Sequence, residues 1–267
     1  MAKKQKSDKH VDAVIGIDIG GTGIKGGIVD LSKGKLIGDR FRIPTPQPAT
    51  PEAVAGVVGQ IVAELSSRPG GPGPEVPVGV TFPAIIQHGI ARSAANVDKS
   101  WVDTDVDALL TKALGRDVQV MNDADAAGLA EVRYGAGREV DGTVLVITLG
   151  TGIGSALIYK GILVPNAELG HLEIDGYDAE SKASASARER DDISWEEYAK
   201  RLQRYFSHVE FLFSPDLFVI GGGISKRSED FLPMLELRTP MVTANLKNNA
   251  GIVGAALQAA MHFKYIK

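Results

Sequence analysis

The chain has no cysteine. Disulfides, thiolate zinc sites and a cysteine nucleophile are therefore excluded, and a reducing cytoplasm suits such a sequence. It also lacks any apolar run long enough to span a bilayer. The first residues, Met1 to His10, are polar and basic without an apolar core, so they do not read as a secretory signal. Strong charge of one sign is missing too. A formal net charge of −4 provides no global field to draw nucleic acid or another polyanion, so any anion site must be a local patch. What is present is ordinary for a globular protein: 44% hydrophobic and 23% charged residues in 267 positions, enough for two compact lobes. The expectation is a cytoplasmic protein that partners neither membrane nor nucleic acid.

Two glycine-rich loops stand out, each between strand-like runs. The first, Gly20-Gly21-Thr22-Gly23, follows Ala13–Ile19, and the second, Gly150-Thr151-Gly152, follows Thr143–Leu149. Overlaid, Gly20 falls on Gly150, which points to two related lobes each offering a loop to one ligand. A loop without side chains lets backbone N–H groups close on an anion, most commonly phosphate. Residues Gly21 to Gly26 also fit the dinucleotide fingerprint G-x-G-x-x-G, but that motif must open a helix. Here a β-branched run, a turn and another apolar run follow each loop, so both read as hairpins. Paired hairpins whose glycines merely satisfy turn geometry are the plainer alternative.

The order after the first hairpin is a helix at Pro51–Ser67, a strand at Val76–Phe82, a helix at Asp105–Leu114, a strand at Val118–Met121 and a helix at Ala124–Tyr134. That is a mixed α/β lobe. In the second half, Ser194-Trp195-Glu196-Glu197 is a capping box opening a long amphipathic helix. Leu217–Ile220 reads as a buried strand and Gly251–Phe263 as an alanine-rich helix, while Asp175–Asp192, charged and aperiodic, reads as a mobile surface segment.

Several residues could carry chemistry. Asp18 ends the first strand beside the loop; a carboxylate there would repel phosphate unless a divalent cation such as Mg2+ intervened, or it could simply cap the loop. Lys25 could place a point charge on a phosphoryl group or lie solvated. Asp123 at a strand-to-helix junction could be a general base, or Asn122 or Asp123 could be an ordinary helix cap. Glu168 and His171, on one turn with Gly170 between, suit hydrogen bonds to vicinal hydroxyls, although such a turn could also be bare surface.

In this order the pieces resemble the ROK family of sugar kinases, within the actin/hexokinase/Hsp70 superfamily. The resemblance rests on Asp18–Lys25, Asn122-Asp123, Leu149–Gly154, Glu168–His171 and Gly221-Gly222-Gly223-Ile224-Ser225. Finer stretches, Thr81–Ala84 and Ala94–Trp101, resemble the branch of that family that uses inorganic polyphosphate and includes an enzyme that takes mannose. The resemblance implies two RNase H-like α/β lobes with a cleft, residues 1–120 plus 251–267 and residues 121–250. It implies phosphoryl transfer from polyphosphate or ATP to the 6-hydroxyl of glucose with Mg2+, and Asp123 as base. Asn96, Asn122, Asp123, Glu168 and His171 would bind the sugar. Asp18, Gly20, Gly21, Thr22, Gly23, Lys25, Gly150, Thr151 and Gly152 would hold the phosphates, with Asp18 nearest the metal. Gly221, Gly222, Gly223 and Ser225 would lie by the adenosine.

One departure matters. Many family members follow the E-x-G-H turn with a zinc-binding cysteine cluster whose last cysteine precedes a sugar-binding glutamate. Here Asp178–Ser184 occupies that place, so no zinc is expected; Glu180 is the candidate for the last sugar ligand and Glu173 the alternative. For a long polyanion, the cationic candidates are Lys25, then Lys226-Arg227, with Arg201 and Arg204 as weaker choices. Homodimers are common in the family. Rival readings are an ATP-only kinase for another hexose, an ATPase that needs no sugar, and a sugar-sensing repressor. The last would carry a helix-turn-helix before the first loop, where only about a dozen residues stand.

Overall fold

The computed structural model describes residues 11–94 and 97–266. It divides into two compact units, Met1–Ala126 with Gly251–Lys267, and Ala127–Ala250. The sequence reading put the boundary at 120/121. It falls after Ala126 instead, because the strand Val118–Asn122 completes the first sheet, so Asn122 and Asp123 belong to the first unit.

In the first unit, β1 (Ala13–Ile19) and β2 (Ile24–Asp30) form the expected hairpin, paired without a break from Ala13↔Asp30 to Ile19↔Ile24. No helix opens after the loop, so the fingerprint match is accidental. β3 (Lys35–Ile43) pairs antiparallel to β2. Helix α1 (Pro51–Ser67) starts where Thr50 accepts a hydrogen bond from Ala53 N and Pro51 fixes the first turn. It buries Val54, Val58, Ile61 and Leu65, a single helical stripe. β4 (Val78–Phe82) runs parallel to β1. A small hairpin, β5 (Ile86–Gln87) and β6 (Ile90–Ala91), leads to α2 (Val106–Leu114). β7 (Val118–Asn122) then adds parallel to β4, giving the order β3-β2-β1-β4-β7. Helix α3 (Asp123–Tyr134) begins in this unit and continues into the next.

The second unit repeats the plan. β8 (Thr143–Leu149), β9 (Ile153–Tyr159) and β10 (Ile162–Val164) form an antiparallel meander. After β11 (Glu173–Ile174) and β12 (Tyr177–Asp178) come α4 (Glu180–Ala183), α5 (Ala185–Arg190) and the capped α6 (Trp195–Phe213). β13 (Leu217–Gly221) lies parallel to β8, and β14 (Met241–Thr243) parallel to β13, for the order β10-β9-β8-β13-β14. Both five-stranded sheets are thus a three-strand meander followed by two parallel strands, which is the duplication the sequence implied.

The segment Asp175–Asp192 departs from its expectation as a mobile surface chain. It supplies all of β12, α4 and α5, and buries Ala179, Ala183 and Ala187 at four-residue spacing, with the Tyr198 hydroxyl donating to the Ala183 carbonyl at 2.9 Å. Methyl-sized side chains among charged ones leave little hydrophobic periodicity to read.

The last helix, α7 (Ala250–His262), returns the chain to the first unit. Its small residues allow close approach: a Cβ added at Gly16 of β1 or Gly79 of β4 would overlap the carbonyls of Ile252 and Ala255. Among the described residues no helix is long and apolar enough to cross a membrane.

Candidate functional site

In the first unit the candidate residues gather at the carboxyl ends of three adjacent parallel strands, where open α/β sheets place ligands. Asp18 of β1, Thr81 of β4 and Met121 of β7 share one register row, and Asn122 and Asp123 follow directly. Asp18 and Asp123 therefore stand roughly two strand spacings apart, on the order of 10 Å.

Asp18 is half-buried and doubly held. Its Oδ2 lies 3.3 Å from the Lys25 ammonium, its partner across the hairpin, and its Oδ1 accepts from the Thr81 hydroxyl at 3.0 Å. Lys25 is thus neither simply solvated nor independent of Asp18. Spacing alone does not single out Thr81, because a partner 63 residues away leaves no trace in it. Gly20 to Gly23 close the turn through a Gly20 N–H to Gly23 carbonyl bond of 3.2 Å. Two side chains brace the loop from outside: Thr45 donates to the Gly20 carbonyl at 2.5 Å, and Arg42 to the Thr22 carbonyl at 2.8 Å. A hollow of about 220 Å³ opens beside Gly20 and Gly21, walled by Thr45, Pro48, Phe82 and Trp101.

At the third strand end Asn122 and Asp123 are placed differently. Asn122 Oδ1 accepts from Ala124 N at 2.8 Å and Asp125 N at 3.1 Å, and Asn122 Nδ2 donates to the Ala84 carbonyl at 3.1 Å. The cap is Asn122, which also ties β7 to the end of β4. Asp123 is exposed, with Oδ1 accepting from Ala124 N at 2.8 Å. Asn96 lies outside the described residues.

In the second unit, Gly150–Gly152 is one residue shorter than its counterpart, because β8 and β9 pair as far as Leu149↔Ile153. Thr148 and Gly154 occupy the register positions that Asp18 and Lys25 hold in the first hairpin, so only the first loop carries a charge pair. The third glycine segment starts alongside, with Gly221 opposite Thr148. Gly222 has φ 83° and presses on the Leu149 carbonyl, where a side chain would collide. Gly223 is exposed, and Ser225 donates to the Gly222 carbonyl at 2.8 Å. Downstream, Lys226 is exposed, while Arg227 pairs with Asp230 and lies over the Trp195 ring.

The turn Glu168–His171 is clamped to β9. Ser155 Oγ accepts from Leu169 N at 2.9 Å and donates to the Ala167 carbonyl, and Gly170 lies against the Ile153 carbonyl with no room for a Cβ. His171 Nδ1 lies 2.8 Å from Asp178 Oδ2, a contact made possible by the β11–β12 hairpin. That hydrogen bond raises the imidazole pKa; partial burial opposes it, and the nearby carboxylates of Glu180 and Glu168 reinforce it. Burial pushes Glu168 above the usual carboxylate range, with His171 opposing and Glu180 adding to the rise. Glu180 Oε2 accepts from Ile153 N at 3.0 Å, so this glutamate braces the second loop as well as facing His171. Glu173 sits opposite Asp178 in the hairpin, outside this group. Sequence spacing does not pair Asp178 with His171; the signal that could have found it is Asp175-Gly176, a common two-residue hairpin turn that folds Asp178 back.

Donor atoms of His171, Asp178 and Glu180 lie within 4.8 Å of one another, a grouping a cation could use. Two of those side chains are already bonded to each other and the third to a backbone N–H, and no thiolate is present.

The sequence profile of the ROK family matches residues 14–185, more than half of the chain. Polyphosphate glucokinase of Mycobacterium tuberculosis (strain ATCC 25618 / H37Rv) is 51% identical over 243 residues, covering 91% of this chain and 89% of that protein. Among solved structures, the inorganic polyphosphate/ATP-glucomannokinase from Arthrobacter sp. strain KM is 73% identical with a TM-score of 0.90, covering 94% of this chain and 100% of that one. A ROK family glucokinase from Streptomyces griseus, solved with glucose and AMPPNP, is 26% identical with a TM-score of 0.78 over 93% of this chain and 99% of its own.

Proposed function

The chain belongs to the ROK family, and from that membership we propose that it is a glucokinase that moves the terminal phosphoryl group of inorganic polyphosphate or ATP to the 6-hydroxyl of glucose, and of mannose as a second acceptor. The observation that carries the reading is the arrangement at the end of β7: Asn122 caps the helix, and the exposed Asp123 stands two strands from Asp18, whose carboxylate pairs with Lys25 across the first hairpin.

In this reading Asp123 accepts the proton of the 6-hydroxyl as the sugar oxygen attacks the terminal phosphorus. The bond from that phosphorus to the bridging oxygen breaks, and ADP or a polyphosphate shorter by one unit leaves. Backbone N–H groups of Gly20–Gly23 and Gly150–Gly152 receive the phosphate oxygens, and Lys25 adds a fixed positive charge. Glu168, His171 and Glu180 bind sugar hydroxyls with Asn96 and Asn122; Asp178 holds the His171 ring so that Nε2 serves the sugar. Gly221–Gly223 and Ser225 border the nucleoside when ATP is the donor. The half-buried Asp18 carboxylate, a hard oxygen donor beside the first loop, fits Mg2+, which when bound would neutralise phosphate charge. Positioning and charge neutralisation supply most of the rate in such a transfer.

The test is formation of glucose 6-phosphate from ATP and, separately, from nucleotide-free polyphosphate. Sugar-dependent donor consumption is the expected result. ATP hydrolysis indifferent to glucose, or no turnover with either donor, would refute it.

A further inference from the structure

The second unit holds another hollow, of about 410 Å³, that none of these roles uses. One wall is α6, which contributes Glu197, Lys200, Arg201 and Arg204 at spacings that fall on a single helical stripe. Opposite stand Lys182 of α4 and Asp175 at the turn of the β11–β12 hairpin. In a chain of net charge −4, this lining carries two more cations than carboxylates.

The cations are held in place. Arg204 forks onto Asp175 with bonds of 2.9 and 2.7 Å, and Lys200 lies 3.2 Å from Glu197. Arg201 reaches Asp191 at 2.6 Å and the Lys182 carbonyl at 3.2 Å, while the Lys182 ammonium sits 4.8 Å above the Tyr177 ring. Asp175 and Glu197 are exposed, and exposed ion pairs are weak, so an incoming polyanion could replace them at little cost. Tyr205 lines the hollow and is fully buried, yet its hydroxyl has no hydrogen-bond partner among the described residues. Buried hydroxyls are nearly always paired, by protein, water or ligand.

We propose that this hollow is a subsite for the distal phosphates of a long inorganic polyphosphate chain. The proposal rests on polyphosphate being a donor. Cations spread along a helical stripe and across from it suit a repeating polyanion, which meets several at once; one phosphate cannot. The short helix α4 links the two places. Glu180 at its start braces the Gly150–Gly152 loop, and Lys182 two residues on lines the hollow. The loop and the hollow thus share one short helix.

The experiment is equilibrium titration of the full chain with nucleotide-free long-chain polyphosphate, with tripolyphosphate, inorganic phosphate and glucose 6-phosphate in separate arms, at low and high salt. Lys200→Glu with Arg204→Glu should weaken long-chain binding about 10-fold or more at low salt, and less at high salt. The KM values for ATP and glucose should stay within about 2-fold, which also reports that the variant is folded. Should the double reversal fail to fold, the milder pair Lys182→Ala with Lys200→Ala, both exposed, should weaken long-chain binding in the same direction. Unchanged long-chain affinity in a folded variant overturns the subsite. So does equal sensitivity of inorganic phosphate or glucose 6-phosphate with no gain from chain length, which would mark a site for a single phosphate group. Failure of the donor reading looks different: the wild type would bind long chains in this charge-sensitive way but make no glucose 6-phosphate from them.

Discussion

A single methyl group at Gly79 should be far more damaging than the same change at Gly56. Gly79 lies in the middle of β4, with α7 packed directly on it. A Cβ there would stand 2.8 Å from the Ala256 nitrogen and closer still to the Ala255 carbonyl. Those are backbone atoms of a helix whose Ile252, Val253, Ala255, Ala256, Ala259 and Ala260 are buried. Carbon–heavy-atom contacts settle near 3.5–4.0 Å, so the helix must retreat by roughly an ångström or more. Overpacking costs about 1–3 kcal/mol where side chains can yield, and an obstruction by backbone belongs at the upper end. At about 2–4 °C per kcal/mol for a protein of this size, Gly79→Ala should lower Tm by roughly 6–12 °C. Gly56 is exposed on α1, with nothing within 4 Å of its added methyl. There the gain in helix propensity, about 0.5–1 kcal/mol, should raise Tm by about 1–4 °C. The first turn of α7 also lies behind the site, since a Cβ on Gly251 would be 3.7 Å from Asp18 Oδ1 and from Thr81. Hence kcat should fall with Gly79→Ala and stay unchanged with Gly56→Ala. Thermal unfolding by circular dichroism and a coupled glucose 6-phosphate assay read both. A Gly79→Ala protein with wild-type Tm and kcat would show that α7 does not bear on β4 as described.

Asp123→Ala should lose at least about 100-fold in kcat while remaining folded, the usual worth of a positioned base; near-normal turnover would leave Asp123 no catalytic role. Glu168→Ala and His171→Ala should each raise the KM for glucose much more than that for ATP, and equal loss for both ligands would indicate a folding defect instead. The bond to Asp178 raises the His171 pKa, so its stabilisation is full below the ordinary histidine value and disappears as pH rises through the raised one. Asp178→Asn should therefore lower Tm more at about pH 6 than at about pH 9, and a gap independent of pH would refute the pairing. Burial lifts Asp107 to about 6, so its neutral form favours folding, and that contribution is lost as pH climbs from its unfolded value through about 6. Asp107→Asn, which retains an acceptor for the Val120 N–H now bound at 2.7 Å, should raise Tm at about pH 8 relative to wild type and do so less at about pH 4. Metal analysis of untagged protein should find zinc well below stoichiometric, and one zinc per chain that survives mild chelation would reverse the reading of the His171–Ser184 segment.

Local patterns were legible where chemistry acts over a few residues. Both hairpins followed from β-branched runs and turn residues, α1 from its apolar stripe, and α6 from a capping box and an apolar stripe. The clustering of Asp18 with Thr81, or of His171 with Asp178, was not. The first depends on strand order, which no spacing encodes; the second depends on the Asp175-Gly176 hairpin, whose turn residues are a local signal but whose partner is not. Misreading Asp175–Asp192 has a similar origin: its core contribution is three alanines, whose burial is small per residue and invisible to a hydrophobicity pattern. The base-or-cap ambiguity at Asn122-Asp123 was real in the sequence, because either residue type caps helices well.

The return of the chain to its first unit has a consequence for how the protein is made. The second unit, Ala127–Ala250, lies wholly within the interruption of the first, so a ribosome delivers all of it before Gly251 emerges. Domains generally acquire structure in the order they are synthesised. Here the lobe begun first is finished last: until α7 arrives, the strip of β1 and β4 around Gly16 and Gly79 has no cover. The nascent chain must carry that bare apolar strip for more than a hundred residues of elongation. A chain released before Gly251 would therefore lack the helix that covers that strip in the finished fold.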